Sequence, residues 1–303
     1  MDNWMMINDE FIQSLDTTEG LEKISEAGST FIRMKLREAG FARRIMIPEF
    51  ITVGELYREE QLDSFYKLKD IEPDSTAMAV TLRGRADYSY INGKRYRISM
   101  FPIETERYEK KEDELLAYEM PITKLIEQNS IKDLQKVEDG RLISHCDAAV
   151  LVSGNQDTFA YVNGANGYYM PRGVMTKLAN LFTDKQLELE YILMNKKDFA
   201  SIYLWTDLGS ALSFEILPGG YKYETLNGIK IVTTNKSDIV PAGKIYGFTN
   251  QSFFGDFYVM SDVKFYIKKD YDIISFFAKQ TIGIGIGNVN GVACLTASNT
   301  LAG

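Results

Sequence analysis

Residues 87–101 read DYSYINGKRYRISMF, two runs rich in aromatic and β-favouring residues on either side of Asn92-Gly93. Asn-Gly supplies the left-handed backbone that a two-residue turn needs, so the segment predicts a β-hairpin. That turn places Tyr90 opposite Arg95 and Tyr88 opposite Arg97, with Ser89 opposite Tyr96 on the other face. Neither face is cleanly apolar, and the ribbon suits two-sided contact more than core burial. It is also basic: Arg83, Arg85, Lys94, Arg95 and Arg97 stand against Asp87 alone.

The next stretch reverses the sign. Glu104, Glu106, Glu109, Glu112, Asp113, Glu114 and Glu119 outnumber Arg107, Lys110 and Lys111. A basic ribbon followed by an acidic stem can pair with a copy of itself, tip on the neighbour's base. These carboxylates lack the fixed spacing of a calcium loop, and a charge run is usually a solvated face or an electrostatic partner.

Beyond the acids, MPITKLIEQ predicts a short helix, and SIKDLQKVEDGRLISHCDAAV (130–150) a longer one starting at a capping-box-like Ser130/Asp133 pair. Ile131, Leu134, Leu142, His145, Cys146 and Ala149 share a stripe at 3.6-residue periodicity, Gly140 lies opposite it, and Gly154 ends the helix. Residues 155–172 read as a loop-rich boundary with Asn163-Gly164 and Asn166-Gly167, followed by Pro171 and a helix from Gly173 to Phe182. Then come a strand LELEYILM, a helix capped by Asn195 with Asp198 and running through Trp205, and a second tight hairpin, YKYETL-NG-IKIVTT, around Asn227-Gly228. Lys244 to Thr296 is mostly strand. Within it, Ile282, Ile284 and Ile286 alternate with Gly283, Gly285 and Gly287. This is a strand with one bulky and one bare face, which lets another backbone approach closely. GIGIGNVNG has no P-loop lysine and no helix pattern after it, so it does not predict a phosphate loop.

On the other side of the hairpin, the first 50 residues predict an arm. It has a helical turn at Asp9 to Leu15, then an amphipathic helix with Leu21, Ile24, Phe31, Ile32 and Leu36 near one face, stopped by Gly40. Arg33, Lys35, Arg37, Arg43 and Arg44 face only Glu38 there, which reads either as a solvated face or as a contact with an acidic partner.

Composition narrows the function. There are 34 Lys+Arg against 42 Asp+Glu in 303 residues, a net charge of −8, which argues against a protein whose main task is gripping nucleic-acid phosphates. Apolar residues make up 45% and charged residues 25%, enough for a large globular core in one or two domains. His145 is the single histidine, which removes multi-histidine metal centres and leaves at most one imidazole base. Its neighbour Cys146 points about 100° away on a helix, a poor arrangement for mutual activation. Cys146 and Cys294 are too few for a disulfide framework, and no run is apolar enough for a signal sequence or a membrane span. No catalytic residue, metal ligand or cofactor is expected. The 18 Tyr and 17 Phe suit a core or a large shared surface.

This order of parts resembles the major capsid proteins of tailed bacteriophages, an α+β fold of the Hong Kong 97 type. SIKDLQKVEDGRLISHCDAAV looks like the family's spine helix, EYILMNKKDFASIYLWTD (190–207) like the strand and helix of its axial domain, and YETLNGIKIVTTN like its hairpin. ISFFAKQTIGIGIGNVNGVACLTAS (274–298) looks like its closing peripheral strands. The resemblance implies an N-terminal arm and connector at 1–76, an extended hairpin loop at 77–111 and a peripheral domain with the spine helix at 112–154. An axial domain at 155–269 and returning peripheral strands at 270–303 complete it. It further implies self-assembly into hexamers and pentamers of an icosahedral head shell around double-stranded DNA, in a virion built in the host cytoplasm. Packaged DNA would be touched non-specifically, and the net acidity would keep it from sticking. Met1 opens directly into the arm, so a separate scaffolding protein is expected, beside a portal and a possible decoration protein, with no membrane partner. Inter-subunit contacts would fall to Arg83, Arg85, Tyr88, Tyr90, Asn92, Gly93, Lys94, Arg95 and Arg97 in the loop. Glu104, Glu106, Glu109, Glu112, Asp113 and Glu114 would serve in the stem, and Arg33, Lys35, Arg37, Arg43 and Arg44 in the arm. Some family members cross-link a loop lysine to an asparagine; Lys94 with Asn288 or Asn290 supplies the residue types, with no catalytic glutamate placed. Other readings are an encapsulin-like nanocompartment holding protein cargo, an α+β enzyme without a recognisable motif, and a monomeric binding module.

Overall fold

The computed structural model describes residues 40–59, 64–73, 80, 93–111, 113–114, 122–164, 167–202, 212–216, 222–226 and 228–299. The arm helices with Arg33, Lys35 and Arg37, the first hairpin strand with Arg83, Arg85, Tyr88, Tyr90 and Asn92, and Glu112 lie outside them.

One helix, Ile122–Ser153, replaces the expected pair. At 1.5 Å per residue its 32 residues reach about 48 Å. Ser130 does not cap a new helix: it is fully buried inside this one, because Ser130, Ile131 and Leu134 continue the inward stripe through Leu142, Cys146 and Ala149. Gly154 closes the helix as read, at φ +66 with its N–H on the Val150 carbonyl at 2.9 Å.

The helix crosses a long antiparallel hairpin, Gly255–Asp270 with Ile273–Ile286, in a sheet that also holds Glu49–Phe50, Phe101–Glu104 and Tyr108–Lys111. Alternation puts Phe265, Ile267, Ile274, Phe276 and Ala278 inward against the helix and Lys264, Tyr266 and Lys268 outward. The register slips between Val259 and Lys264, and in that bulge Asp262 is buried.

A seven-stranded sheet runs in the order Leu212–Ile216, Lys222–Leu226, Ile229–Thr234, Tyr191–Asn195, Lys244–Phe248, Val292–Ala297, Gln156–Phe159. The second predicted hairpin forms, with Leu226 opposite Ile229 and Gly228 at φ +84; Asn227 lies outside the described residues. Part of the expected loop at 155–172 is instead strand, Gln156–Phe159, paired in parallel with Val292–Ala297. Its sequence, QDTF, offers too little apolar alternation to announce an edge strand. One face of the sheet carries the helices Gly173–Thr183 and Lys196–Ile202 over Val174, Leu178, Phe182 and Phe199. The other shares a core with the long helix through Leu193, Val232, Tyr246 and Cys294.

A third, small sheet joins Tyr57–Arg58, Phe65–Ile71 and Lys94–Ser99. The described partner of KRYRIS is thus Phe65–Ile71, with Asp70 opposite Arg95 and Leu68 opposite Arg97, so residues 72–93 lie between the two strands of one ribbon. The expectation that the ribbon suits two-sided contact more than core burial fails at the base of this strand. Ile98 and Met100 are buried with Ile51 and Tyr258 in a core of their own.

Candidate assembly surfaces

The bare face of the glycine strand is where this ribbon stem sits. A Cβ on Gly283 would lie 2.6 Å from Met100 Sδ, one on Gly285 2.4 Å from Ile98 Cγ1, and one on Gly287 2.6 Å from the Tyr96 ring. Two period-2 patterns, Tyr96-Ile98-Met100 and Gly283-Gly285-Gly287, therefore run face to face. At the outer end the Tyr96 hydroxyl donates to Asp256 Oδ2 at 2.5 Å, and Lys69 Nζ donates to Oδ1 of the same carboxylate at 2.9 Å. Burial, then Asp256, pushes the Tyr96 hydroxyl well above the ordinary phenol range, so it stays a donor. Sequence reading missed Lys69 and Asp256; the matched alternation was the signal that could have found the partner of the glycine face.

Two of the described loop cations, Arg95 and Arg97, are matched inside the chain. Arg95 Nε meets Asp70 Oδ1 at 2.5 Å. Arg97 forks onto Glu59, with Nη1 3.0 Å from Oε1, and lies 4.2 Å from the Tyr66 ring centre. That pairing holds the Glu59 carboxyl below the usual carboxylate range. Gly93 and Lys94 are exposed at the stem's far end. Among the acids, Glu104 pairs with Lys279 at 2.8 Å and Glu114 with Lys110 at 3.2 Å, while Glu106, Glu109 and Asp113 are exposed. Arg95, Arg97, Glu104 and Glu114 thus fold onto neighbours of opposite sign in the same chain, in solvent, where each pair contributes little.

Arg43 departs from its expected place on an arm surface. It is buried, its guanidinium bidentate on Glu138 at 2.8 and 3.2 Å, 3.4 Å from Gln280 Oε1 and 3.7 Å from Asp262. Beside it Asp139 accepts the Ala42 amide at 2.9 Å and Lys236 Nζ at 2.5 Å. Burial pushes the Asp139 carboxyl up to about 6 against the pull of Lys236. This buried cluster clamps the short helix Ala42–Ile45 to the middle of the long helix, and Arg44 next to it is half-buried.

Large apolar side chains concentrate on the surface near the same segment: Ile47, Phe50, Val53 and Tyr57 are each more than half exposed. Gln251 bonds both the N–H and the carbonyl of Ile47, at 2.7 and 3.0 Å, which brings the equally exposed Phe253 toward them. Phe253 also lines two open grooves of about 730 Å³ each. At the tip of the long hairpin Tyr271 is 93% exposed and sits in the left-handed region at φ +53.

Nothing comparable gathers for chemistry. Among the described residues no group of three or more His, Cys, Asp or Glu could hold a metal ion. Cys146 is fully buried, and burial pushes its thiol far up, away from a nucleophilic thiolate. His145 is half-buried, with burial and then Arg141 pushing its pKa down.

No protein-family model matches the chain, and no curated protein matches its sequence. Solved structures do. A Microbacterium phage Oxtober96 structure aligns at TM-score 0.59 and 12% identity, over 86% of this chain and 91% of the other. A virus-like particle from Pyrococcus furiosus aligns at 0.57 and 15%, over 92% and 100%. The capsid of Cyanophage P-SCSP1u aligns at 0.55 and 13%, over 84% and 87%. With so little sequence in common, what these chains share with this one is backbone architecture, and the chain has the α+β fold of tailed-phage capsid proteins, the Hong Kong 97 type.

Proposed function

We propose that the chain is a structural subunit, not an enzyme, which self-assembles as hexamers and pentamers into the icosahedral head shell of a phage virion around double-stranded DNA. The observation that carries this reading is a capsid-type fold, aligned over 86% of this chain with a Microbacterium phage Oxtober96 structure and over 84% with the capsid of Cyanophage P-SCSP1u. The exposed apolar residues from Ile47 to Tyr57 and Phe253 support it, because copies in a closed shell would cover them. In this reading the long helix and long hairpin form the peripheral part, the seven-stranded sheet the axial part, and the ribbon around Gly93 and Lys94 the extended loop reaching a neighbour. A separate scaffolding protein, a portal and a decoration protein would complete the particle, assembled in the host cytoplasm. Many modest contacts repeated around a shell give large summed stability.

A cargo-holding compartment is the second reading: the chain aligns with a Pyrococcus furiosus virus-like particle over that chain's full length as well as with phage structures, so the fold by itself does not choose the contents. Contents decide between them. Nuclease-treated particles from infected or co-expressing cells that protect double-stranded DNA support the phage head. Particles containing a co-purified enzyme and no nucleic acid reject it in favour of the compartment.

A further inference from the structure

The ribbon stem is attached to the rest of the subunit by few side chains. Its strands pair only with one another among the described residues, and its own core holds four buried residues, Ile51, Ile98, Met100 and Tyr258. The three glycines seat Met100, Ile98 and Tyr96 directly on the opposing backbone, a close apolar contact that carries no side chain of its own on that strand. Near Met100 the chain itself anchors the stem, since the next residue, Phe101, enters the five-stranded sheet. At the other end, over Gly287, no covalent link holds it down. There two polar contacts converge on one carboxylate: Tyr96 to Asp256 and Lys69 to Asp256, from two different strands of the stem.

We propose that Tyr96, Lys69 and Asp256 form a latch that sets the angle at which the ribbon leaves its subunit, and so the curvature of the assembled shell. A ribbon hinged at Met100 and bolted four residues away at Tyr96 has a lever arm of about 13 Å at roughly 3.3 Å per residue. Gly93 and Lys94 lie beyond the bolt, so a small rotation there would displace a contact made from the ribbon's far end by more. Closed shells amplify such changes, because a heterologous contact that rotates closes on a different number of subunits or fails to close. Tyr96 and Lys69 are positioning residues here: they act through the direction of the ribbon. The inference rests on the shell reading above.

The test compares the full wild-type chain, Tyr96→Phe and Lys69→Met, each expressed with its neighbouring genes. Particle diameters are read by electron microscopy, and subunit integrity by circular dichroism and thermal melting. Tyr96→Phe keeps the ring over Gly287, and Lys69 is exposed enough that Lys69→Met cannot empty the core. The expected result is wild-type shells of one diameter and, in both variants, a spread of diameters at least twofold broader or a shift to tubes and open sheets, with folded subunits. Variant shells of wild-type diameter and spread overturn the latch while leaving the shell reading intact. A wild-type chain that forms no shells under any condition overturns the shell reading, and the latch with it.

Discussion

Ile98 occupies the space that a side chain at Gly285 would need: a Cβ there would meet Ile98 Cγ1 at 2.4 Å. The bare face of the glycine strand is therefore a fitted seat for the ribbon stem. Gly285→Ala is expected to push Ile98 off its seat and cost about 1–3 kcal/mol, the range for an overfilled site. Gly140→Ala is the matched control, with nothing within 4 Å of the added Cβ in the long helix, and is expected to stabilise by about 1 kcal/mol. Urea unfolding of the two variants beside wild type measures both signs.

The buried Arg43–Glu138 pair predicts strong non-additivity. Arg43→Met leaves Glu138 and Asp262 charged and buried, and should cost about 3–5 kcal/mol. The double variant Arg43→Met, Glu138→Met removes the main orphaned charge and should recover more than half of that loss. A double-mutant cycle reads the coupling; strictly additive losses would mean that the pair does not act as a unit.

Asp139 gives a pH signature with an unusual sign. Its folded-state carboxyl, raised by burial from 3.8 to about 6, binds protons more readily than in the unfolded chain. Its contribution to stability is fully present below about pH 4 and is lost as pH rises through about 6, by up to about 3 kcal/mol. Acids held below the usual range, such as Glu59, Glu104 and Asp157, act in the opposite direction, losing stability on acidification. Comparison with Asp139→Asn cancels them. Wild type should lose stability relative to the variant between pH 4 and 6 and run parallel to it above pH 7; parallel curves throughout would refute the assignment.

Sequence alone carried the parts of the fold whose signal is local. The Asn227-Gly228 hairpin, the Gly154 stop and the bare glycine face all rest on residues within a few positions of one another. Errors arose where distant partners decide. Arg43 reads as surface charge because its partners Glu138 and Gln280 are 95 and 237 residues away. Ser130 reads as a cap because serine favours caps locally, yet the helix passes through it on the strength of a buried stripe formed with the long hairpin. Phe65–Ile71, FYKLKDI, was passed over because its half-buried positions do not alternate cleanly, and only Lys94–Ser99 lying alongside makes it a strand. The assembly surface was half legible. Gly93 and Lys94 are exposed, and nothing in the sequence marked Ile47 or Phe253 as exposed or Asp256 as the partner of Tyr96.

Assembly state is the measurement on which the functional reading stands. Size-exclusion chromatography with electron microscopy, on the chain expressed with and without its neighbouring genes, should give icosahedral shells or rings of five and six subunits. A stable monomer at 34.4 kDa under every condition, co-expression with a scaffolding protein included, would contradict it.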